Sequence, residues 1–460
     1  MRFETDTIAA IATPVGQGGI GIVRLSGPGS LNIADRIFRP KKGVIPSCAR
    51  QSSLLYGHIL SPSDNTVIDE VLLSVMRSPL SYTKEDVIEI NCHGGMIGVK
   101  RVLETVLAEG ARLADPGEFT RRAFLNGRIN LTQAEAVSDL ITAKTEESMK
   151  IAAEQLQGRL SEKLGEIREK LVEISAYAEA CMDFPEDEIE TDTSLQIINQ
   201  LRETAGELVR LSESFNEARF FREGLSVAIV GRPNVGKSSL LNLLLNKERA
   251  IVTEIPGTTR DIIEDYLNIN GLPVRIMDTA GIRDSVESVE KEGIRRSLNA
   301  INDADCLIAL LDGSESLTEE DLKLIELVRE KNTVFVINKA DLPQKVSPDF
   351  LEEKGKGFIL LSTVTEYGIN DLKSRLFNRN LQNWAEEREG VVVTNLRHKT
   401  AIDGASAALS RAEELLKGNQ PLELFAIELR DSLDNLGEIT GMVTTEEILD
   451  KIFSSFCIGK

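Results

Sequence analysis

The feature that most restricts the fold of this chain is the segment Gly231–Ser238, with the sequence GRPNVGKS. It follows the apolar run Val227–Val230 and precedes a helix-forming run, Ser239–Leu245. A strand, a loop of the form GxxxxGK[ST] and a helix are the parts of a phosphate-binding loop. Its backbone N–H groups surround a β-phosphate, and Lys237 can reach the β- and γ-phosphate oxygens. The segment therefore predicts an α/β nucleotide-binding domain, with Ser238 as a ligand of Mg²⁺.

Two later segments indicate guanine as the base. Asp278–Gly281, with the sequence DTAG, follows the apolar run Val274–Met277 and is typical of the element that senses the γ-phosphate. Asn338–Asp341, with the sequence NKAD, follows the run Thr333–Ile337. The carboxylate of Asp341 can accept hydrogen bonds from both N1–H and the 2-amino group of guanine, a donor pair that adenine lacks. The three segments together predict a protein that binds GTP.

The remaining parts of the predicted site come from three loops. Lys339 can lie along the base plane, and Asn338 can tie loops together. Thr259, in the loop between the phosphate-binding segment and DTAG, would complete the Mg²⁺ shell. Ser362 follows a predicted strand at 357–361, where a last base-contacting loop belongs.

Hydrolysis needs a group that orients water, and its identity is open from the residues alone. Many small GTPases have a glutamine directly after the DTAG element, but this chain has Ile282, which cannot orient water. Glu290 follows in a charge-rich segment. By itself, such a residue is more often part of a solvated acidic face than a catalytic group.

The pattern of apolar residues predicts the organisation of the chain. Strand-like runs in a mixed α/β region occur at Gly21–Leu25, Val71–Met76 and Val87–Ile90. Helical periodicity follows over about 131–220, and again after Trp384. Strands spaced by helices between these two stretches predict a parallel sheet covered by helices.

Because each helical stretch has an apolar face that needs a partner, the simplest arrangement joins them into one helical domain with the α/β block inserted. The predicted fold class is a multidomain α/β and all-α protein with a Ras-like P-loop domain. Its predicted domains are residues 1–125, the discontinuous helical domain 126–221 plus 384–460, and the inserted domain 222–383.

Composition and net charge restrict the cellular location and the binding partners that we expect for this chain. No run of 18 or more apolar residues occurs, so no transmembrane helix is predicted. Five scattered cysteines without a CxxC pair favour reduced thiols and a cytoplasmic location. The net charge of −20 opposes the basic footprint of a protein that grips nucleic acid alone, so an RNA substrate would require a local basic patch or a basic partner.

A second glycine motif has a different interpretation. Gly16–Gly21 matches GxGxxG, but Ile22–Gly27 after it resembles a strand, whereas a dinucleotide site requires a helix there. Nicotinamide binding is therefore rejected. A tight glycine turn that places Arg24 in a pocket is the preferred interpretation.

The chain resembles the MnmE/TrmE family of tRNA modification GTPases over nearly its whole length. The segments that carry this resemblance are Ala12–Pro14, Gly18–Gly21, Glu85–Gly95, Pro116–Gly127, Gln133–Ala136, Gly257–Asp261 and, most specifically, Ile452–Lys460 with the terminal sequence CIGK.

The resemblance implies an N-terminal domain that dimerises and binds a tetrahydrofolate derivative of the 5-formyl or 5,10-methylene type. It also implies a heterotetramer with an FAD-dependent partner. Together they would build a carboxymethylaminomethyl-type group on C5 of the tRNA wobble uridine, with folate as the one-carbon donor. A ribosome-assembly GTPase or a GTP-operated scaffold are the alternatives, because related GTPase blocks occur in such proteins.

The resemblance also assigns residues around the nucleotide. K⁺ would be held by Asn234 with backbone oxygens near Thr253, Ile255 and Thr258, and Mg²⁺ by Ser238 and Thr259. Glu290 becomes the catalytic glutamate. The full predicted GTP site comprises Asn234, Val235, Gly236, Lys237, Ser238, Ser239, Thr253, Thr258, Thr259, Asp278, Thr279, Ala280, Gly281, Asn338, Lys339, Asp341 and Ser362. Thr363 departs from the family's usual alanine in the last base loop.

For folate, the implied residues are Arg24, Glu89, Arg128 and Lys460. Arginines suit the carboxylates of folate, and a carboxylate suits the N–H donors of the pterin. Arg128 departs mildly from the lysine that is usual in the family, and Arg24 or Glu89 could instead belong to a structural ion pair. Cys457 has two open interpretations, a thiol role beside the folate or a buried structural cysteine.

Overall fold

The structure is a computed structural model. It describes residues 6–14, 16–183, 191–248, 266–277, 299–346, 357–382, 384, 390–418 and 420–460. The described residues form two compact units, one from 6–138 with 437–460 and another from 139–436. Each unit contains one β-sheet. Within these ranges, every helix is too short or too polar to cross a membrane.

Fourteen helices are assigned within the described ranges. They are α1 (Ser30–Ile37), α2 (Met96–Ala108), α3 (Glu118–Leu125), α4 (Leu131–Thr142), α5 (Glu146–Leu156), α6 (Arg159–Asp183), α7 (Thr191–Glu213), α8 (Phe215–Glu223), α9 (Lys237–Glu248), α10 (Glu319–Leu327), α11 (Ile369–Asn380), α12 (Leu396–Lys417), α13 (Leu422–Thr440) and α14 (Glu446–Phe453).

Thirteen strands are assigned in the same ranges. They are β1 (Ile8–Ile11), β2 (Ile20–Ser26), β3 (Phe38–Pro40), β4 (Ser53–Leu60), β5 (Val67–Met76), β6 (Val87–His93), β7 (Arg112–Leu113), β8 (Leu225–Val230), β9 (Tyr266–Ile269), β10 (Leu272–Met277), β11 (Cys306–Asp312), β12 (Thr333–Asn338) and β13 (Phe358–Leu360).

The sheet of the first unit has the order β3-β4-β5-β6-β2-β1-β7. Its pairs are antiparallel except β1 with β7. Side chains alternate along its strands, so that Val23 and Leu25 are fully buried while Arg24 between them is not. The buried side chains share a core with residues of α1 and α2. Arg24 therefore lies on the opposite face, directly across from Glu89 of β6.

The end of the chain packs against the start of the helical region in this unit. Leu131 and Ala134 of α4 form a buried cluster with Leu449 and Phe453 of α14 and with Phe456 beyond it. This cluster anchors the residues after α14 to the same unit as Arg24 and Glu89.

The sheet of the second unit has the order β13-β12-β11-β8-β10-β9. All of its pairs are parallel except β9 with β10. Every residue of β8, β11 and β12 is buried, as expected for central parallel strands covered on both faces. The strands predicted from the sequence in this part of the chain are all present.

Helices from both sides of this α/β block pack together. α7 lies along α12, and Nε of Arg202 is 2.7 Å from Oε1 of Glu413. The hydroxyl of Ser212 also donates to the carboxylate of Asp403. The two helical stretches, distant in sequence, are therefore neighbours in space.

In α13 the spacing of Leu424, Ile427, Leu429 and Leu433 predicts one buried face, but the structure buries a different set of residues. Leu424 and Ile427 are exposed, at 44% and 60%, whereas Phe425 and Leu429 are buried. The sequence pattern was ambiguous because apolar residues occur on several sides of this helix. The segment Pro185–Glu188, whose proline predicts a break between two helices, lies outside the described residues.

Candidate functional site

The phosphate-binding loop connects β8 to α9, and its backbone is held in an unusual conformation. Asn234 has a φ of +64° and Gly236 a φ of +104°. A Cβ atom at Gly236 would lie 2.3 Å from Nδ2 of Asn338. Only glycine fits this position, because both the backbone angle and the space exclude a side chain.

Lys237 is the first residue of α9 and turns back over the loop. Its Nζ donates to the carbonyl oxygens of Gly231, at 2.8 Å, and Arg232, at 2.7 Å. Burial lowers the pKa of this lysine below its ordinary value. A triphosphate would supply the negative charge that favours the ammonium form, so the lysine is placed to bind an anion.

Asn338 connects the base side of the site to the phosphate side. It ends β12 and is buried, with its Nδ2 donating to the carbonyl oxygen of Val235 at 2.8 Å. Its Oδ1 accepts from the N–H of Thr363 at 3.3 Å. One side chain thus joins three loops at the carboxyl edge of the sheet, where ligands bind in parallel α/β proteins.

The carboxylate of Asp341 is oriented by Ser362. The hydroxyl of Ser362 is buried and donates to Oδ1 of Asp341 at 2.5 Å. The hydroxyl oxygen of Ser362 in turn accepts from the N–H groups of Val364 and Thr365, at 3.3 and 3.1 Å. The second carboxylate oxygen of Asp341 makes no hydrogen bond with another of the described residues.

The metal candidates are only partly described. Asn234, Ser238 and Ser239 are exposed around the start of α9. The other predicted residues lie outside the described residues: Thr253, Ile255, Thr258, Thr259, Asp278, Thr279, Ala280, Gly281 and Glu290.

The predicted folate residues meet on the face of the first sheet opposite α1 and α2. Both Nε and Nη2 of Arg24 lie 2.8 Å from Oε1 of Glu89, so the ion pair considered from sequence exists. The Arg24 guanidinium also lies 5.6 Å from the ring centres of Tyr82 and Phe119. The guanidinium carbon of Arg128 lies 4.7 Å from the centre of the Tyr82 ring. Paired charges and aromatic rings together suit a planar, hydrogen-bonding ligand.

The C-terminal segment reaches this cluster. Nη1 of Arg24 donates to the carbonyl oxygen of Gly459 at 3.2 Å, and the N–H of Phe119 donates to that of Lys460 at 3.2 Å. Gly459 has a φ of +95°, and a Cβ there would lie 2.3 Å from the carbonyl oxygen of Ile11. The tail therefore passes too close to β1 for any larger residue.

Lys460 and Cys457 have contrasting environments. Burial, reinforced by the nearby Arg24, lowers the pKa of Lys460, although Glu89 and Cys457 act in the opposite direction. Cys457 is exposed. The interpretation of Cys457 as a buried structural cysteine is therefore wrong.

Some residues of both sites were missed from the sequence. Tyr82 and Phe119 contact Arg24, and Asp312 contacts Lys339 at 2.5 Å. None belongs to a nucleotide motif. Phe119 lies within a segment that carried the family resemblance, which is the one signal that could have indicated it. The other two are near their partners only in the folded chain.

Two family models match the chain. The MnmE helical domain matches residues 131–457, and the GTP-binding protein TrmE N-terminus matches residues 7–128. The tRNA modification GTPase MnmE of Alkaliphilus oremlandii is 47% identical over 460 residues, which is all of both chains. That of Acetivibrio thermocellus is 46% identical over the same full length.

The G domain of the T. maritima FeoB iron transporter is 25% identical and covers 34% of this chain and 98% of its own, with a TM-score of 0.26. That score is too low to support a conclusion. The family matches, together with the mostly parallel sheet and phosphate-binding loop of the second unit, confirm the predicted fold class of an N-terminal α/β domain, a helical domain and a P-loop domain. A helical-domain model that spans well over half of the chain, and full-length relatives almost half identical to it, place this protein in the MnmE/TrmE family.

Proposed function

We propose that this protein hydrolyses GTP to drive the addition of a carboxymethylaminomethyl-type group at C5 of the wobble uridine in tRNA. The observation that carries the proposal is the hydrogen bond from Nδ2 of Asn338 to the carbonyl oxygen of Val235, which joins the NKAD segment to the GRPNVGKS loop. Relatives that match the full chain are named tRNA modification GTPases, which supports the choice of tRNA.

GTP would bind across the loops at the carboxyl edge of the second sheet. Lys237 would leave its two carbonyl acceptors for the β- and γ-phosphates. Asp341, oriented by Ser362, would accept hydrogen bonds from guanine. Discrimination against adenine follows, because adenine would leave this carboxylate without donors.

Two ions and one glutamate complete the proposed hydrolytic site. Ser238 with Thr259 would hold Mg²⁺. Asn234, with backbone oxygens near Thr253, Ile255 and Thr258, would hold K⁺; the exposed Asn234 amide and Ser238 hydroxyl have the oxygen chemistry that these ions require. Bound ions would offset the negative charge that develops on the phosphates. The carboxylate of Glu290 would orient the attacking water.

The folate would bind at the cluster around Arg24. Its carboxylates suit Arg24, Arg128 and Lys460, and the N–H donors of its pterin suit Glu89. A bound tetrahydrofolate derivative would supply a one-carbon unit. The exposed thiol of Cys457 is positioned at the end of the same tail and is available for chemistry there.

The proposed assembly is a homodimer that forms a heterotetramer with an FAD-dependent partner in the cytoplasm. The chain's net charge of −20 supports a division of labour in which the partner attracts much of the tRNA backbone. We propose domain boundaries of 1–125 for the folate domain, 126–221 plus 384–460 for the helical domain, and 222–383 for the GTPase domain.

The proposal is tested by digesting tRNA from a strain that lacks the protein and separating the nucleosides. The modified wobble uridine should disappear and return when the wild-type chain is restored. Restoring a Glu290→Ala chain should not return it, although that variant should still bind GTP. An unchanged nucleoside profile in the deletion strain would refute the tRNA function.

A biochemical test separates the proposed K⁺ site. GTP turnover should rise when Na⁺ is replaced by K⁺ at constant ionic strength. Equal turnover in the two salts would remove the role given to Asn234 while leaving GTP binding intact.

A further inference from the structure

Residues 312–321, which run from the last residue of β11 into the first turn of α10, contact both halves of the nucleotide site but belong to neither motif. This segment begins at the carboxyl end of a central parallel strand, the edge at which the phosphate and base loops also lie. We propose that Asp312 is a positioning residue for guanine nucleotides, because it holds the side chain of Lys339 where the base must lie. This inference rests on the proposed GTP site.

Asp312 is well placed for this role. It is buried at 6% exposure, and its Oδ2 lies 2.5 Å from Nζ of Lys339. Its Oδ1 accepts from the N–H of Ser314 at 2.9 Å and from the Ser314 hydroxyl at 2.6 Å. Both carboxylate oxygens are therefore engaged, and the turn that contains Ser314 fixes the direction of the carboxylate.

The carboxylate of Asp312 is charged at neutral pH. Burial acts to raise the pKa of Asp312, but the bonds from Lys339 and Ser314 outweigh it and hold the pKa below its ordinary value. A charged, buried carboxylate gives Lys339 a fixed partner. Without it, the flexible stem of a lysine would sample many rotamers before a base arrived.

Backbone hydrogen bonds also join the neighbours of Asp312 and Lys339. The N–H of Gly313 donates to the carbonyl oxygen of Asn338 at 3.0 Å, and the N–H of Lys345 donates to that of Gly313 at 2.7 Å. Lys339 has a φ of +62°, an uncommon value for a residue with a long side chain. The neighbouring bonds hold this backbone, and the ion pair then directs the side chain.

The other end of the segment holds the phosphate loop. Nε of Arg232 donates to Oδ1 of Asp321 at 2.8 Å, and the Asp321 side chain is only 1% exposed. Oδ2 of Asp321 accepts from the N–H and hydroxyl of Thr318, at 2.9 and 2.8 Å, and closes the capping box of α10. One short segment therefore fixes the base loop and the phosphate loop relative to each other.

When GTP binds, the stem of Lys339 would lie along the guanine plane while its ammonium stays on Asp312. Preorganisation of this kind raises affinity without a direct contact from Asp312 to the ligand. Because the stem contacts the ring face and not the 2-amino group, Asp312 should affect affinity for guanine and hypoxanthine nucleotides equally.

The first experiment measures binding of a fluorescent GDP to the full chain, with GTP and ITP as competitors. Asp312→Asn should weaken GTP and ITP by about the same factor, roughly tenfold, the loss expected for one charge-assisted hydrogen bond. Asp341→Asn should instead change the ratio of GTP to ITP affinity. Asp303→Asn, at an exposed position outside the segment, should leave both affinities unchanged.

A double-mutant cycle then tests whether Asp312 acts through Lys339. In a Lys339→Ala background, Asp312→Asn should cause no further loss. Additive losses, or an affinity that Asp312→Asn leaves unchanged or raises, would overturn the inference. If Asp312→Asn does not fold, Lys339→Met probes the same pair from the other side and should show the same loss for GTP and ITP.

The outcomes separate this inference from the proposed function. A wild-type chain that binds no GTP would refute the function itself. A wild-type chain that binds GTP, with normal affinity in both pair variants, would refute only the role of Asp312.

Discussion

The two candidate sites are made of different materials. The nucleotide site in the second unit is built largely from backbone, with a left-handed Asn234, a Gly236 that no other residue can replace, and carbonyl groups held by Lys237. The site in the first unit is built from side chains on one face of a sheet, where Arg24 pairs with Glu89 and lies against Tyr82 and Phe119.

The sites also differ in how far their parts are separated along the chain. One continuous loop forms the phosphate side of the nucleotide site. In the first unit, β2, β6 and the last two residues of the chain must come together before Arg24 has its partners. The rigidity of a site built from backbone therefore depends mainly on its own loop. The rigidity of a site built from side chains depends on the tertiary contacts that bring those side chains together.

The largest effect is expected from Lys237→Ala. It should weaken GTP binding by about a thousandfold, because it removes two charge-assisted hydrogen bonds of about 2 kcal/mol each. Titration with a fluorescent GTP analogue measures the loss. Lys247→Ala, at an exposed lysine on the same helix, is the control and should bind normally. A folded Lys237→Ala protein with wild-type affinity would contradict the anion role.

Gly236→Ala tests whether the nucleotide site depends on its backbone. The new Cβ meets Asn338, and the φ of +104° disfavours alanine, so the free energy of unfolding should fall by about 2 kcal/mol. Gly165→Ala is the matched control. It lies inside α6, where an added Cβ meets no atom within 4 Å, and should stabilise by up to about 1 kcal/mol. Thermal unfolding of the two variants should move in opposite directions.

Arg24→Ala makes the same test of the side-chain site. Binding of 5-formyltetrahydrofolate, measured by calorimetry, should weaken by roughly tenfold, for the loss of one charged contact. GTP binding should not change. Arg39→Ala, at an exposed arginine on β3 of the same sheet, should leave folate binding intact. Equal folate binding in both variants would show that the ligand lies elsewhere.

The smallest effect concerns pH. The pKa values of Lys237 and Lys460 are both lowered by burial, so both lysines lose their charge below the ordinary value of 10.5. Between the lowered pKa of each folded lysine and 10.5, the unfolded chain binds more protons than the folded chain, so the free energy of unfolding rises with pH. Over the same pH range the affinity for anionic ligands falls, because the lysines lose their positive charge. Titrations from pH 7 to 10 should show GTP and folate binding weakening toward the alkaline end.

Glu89→Gln sharpens the pH comparison. The carboxylate of Glu89 raises the pKa of Lys460, so its removal should move the folate profile to lower pH. The GTP profile should stay in place, because burial alone shifts Lys237. A parallel movement of both profiles would mean that the two sites are not independent.

The nucleotide site could be predicted from the residues alone, but the folate site could not, because one is formed locally in the chain and the other by distant segments. Glycine spacing, an apolar strand and a following helix are local properties, so Gly231–Ser238 could be assigned from residues alone. The pairing of Arg24 with Glu89 depends on the register of β2 and β6, which no local pattern specifies. Only the family resemblance brought those residues together.

Other features could not be read from sequence. The contact of Asp312 with Lys339 depends on two strands ending at the same level, and the apolar residues of α13 occupy several sides of the helix. The strands of the second sheet were predictable because their buried apolar runs are uninterrupted.

The packing of α7 against α12 has a consequence for folding during synthesis. A ribosome delivers α7 long before α12, and the whole nucleotide-binding block is synthesised between them. Until α12 emerges, the apolar side of α7 has no companion and needs shelter from aggregation. The nucleotide-binding block can fold first, which brings its two ends together, and α12 then packs against α7 as the last step.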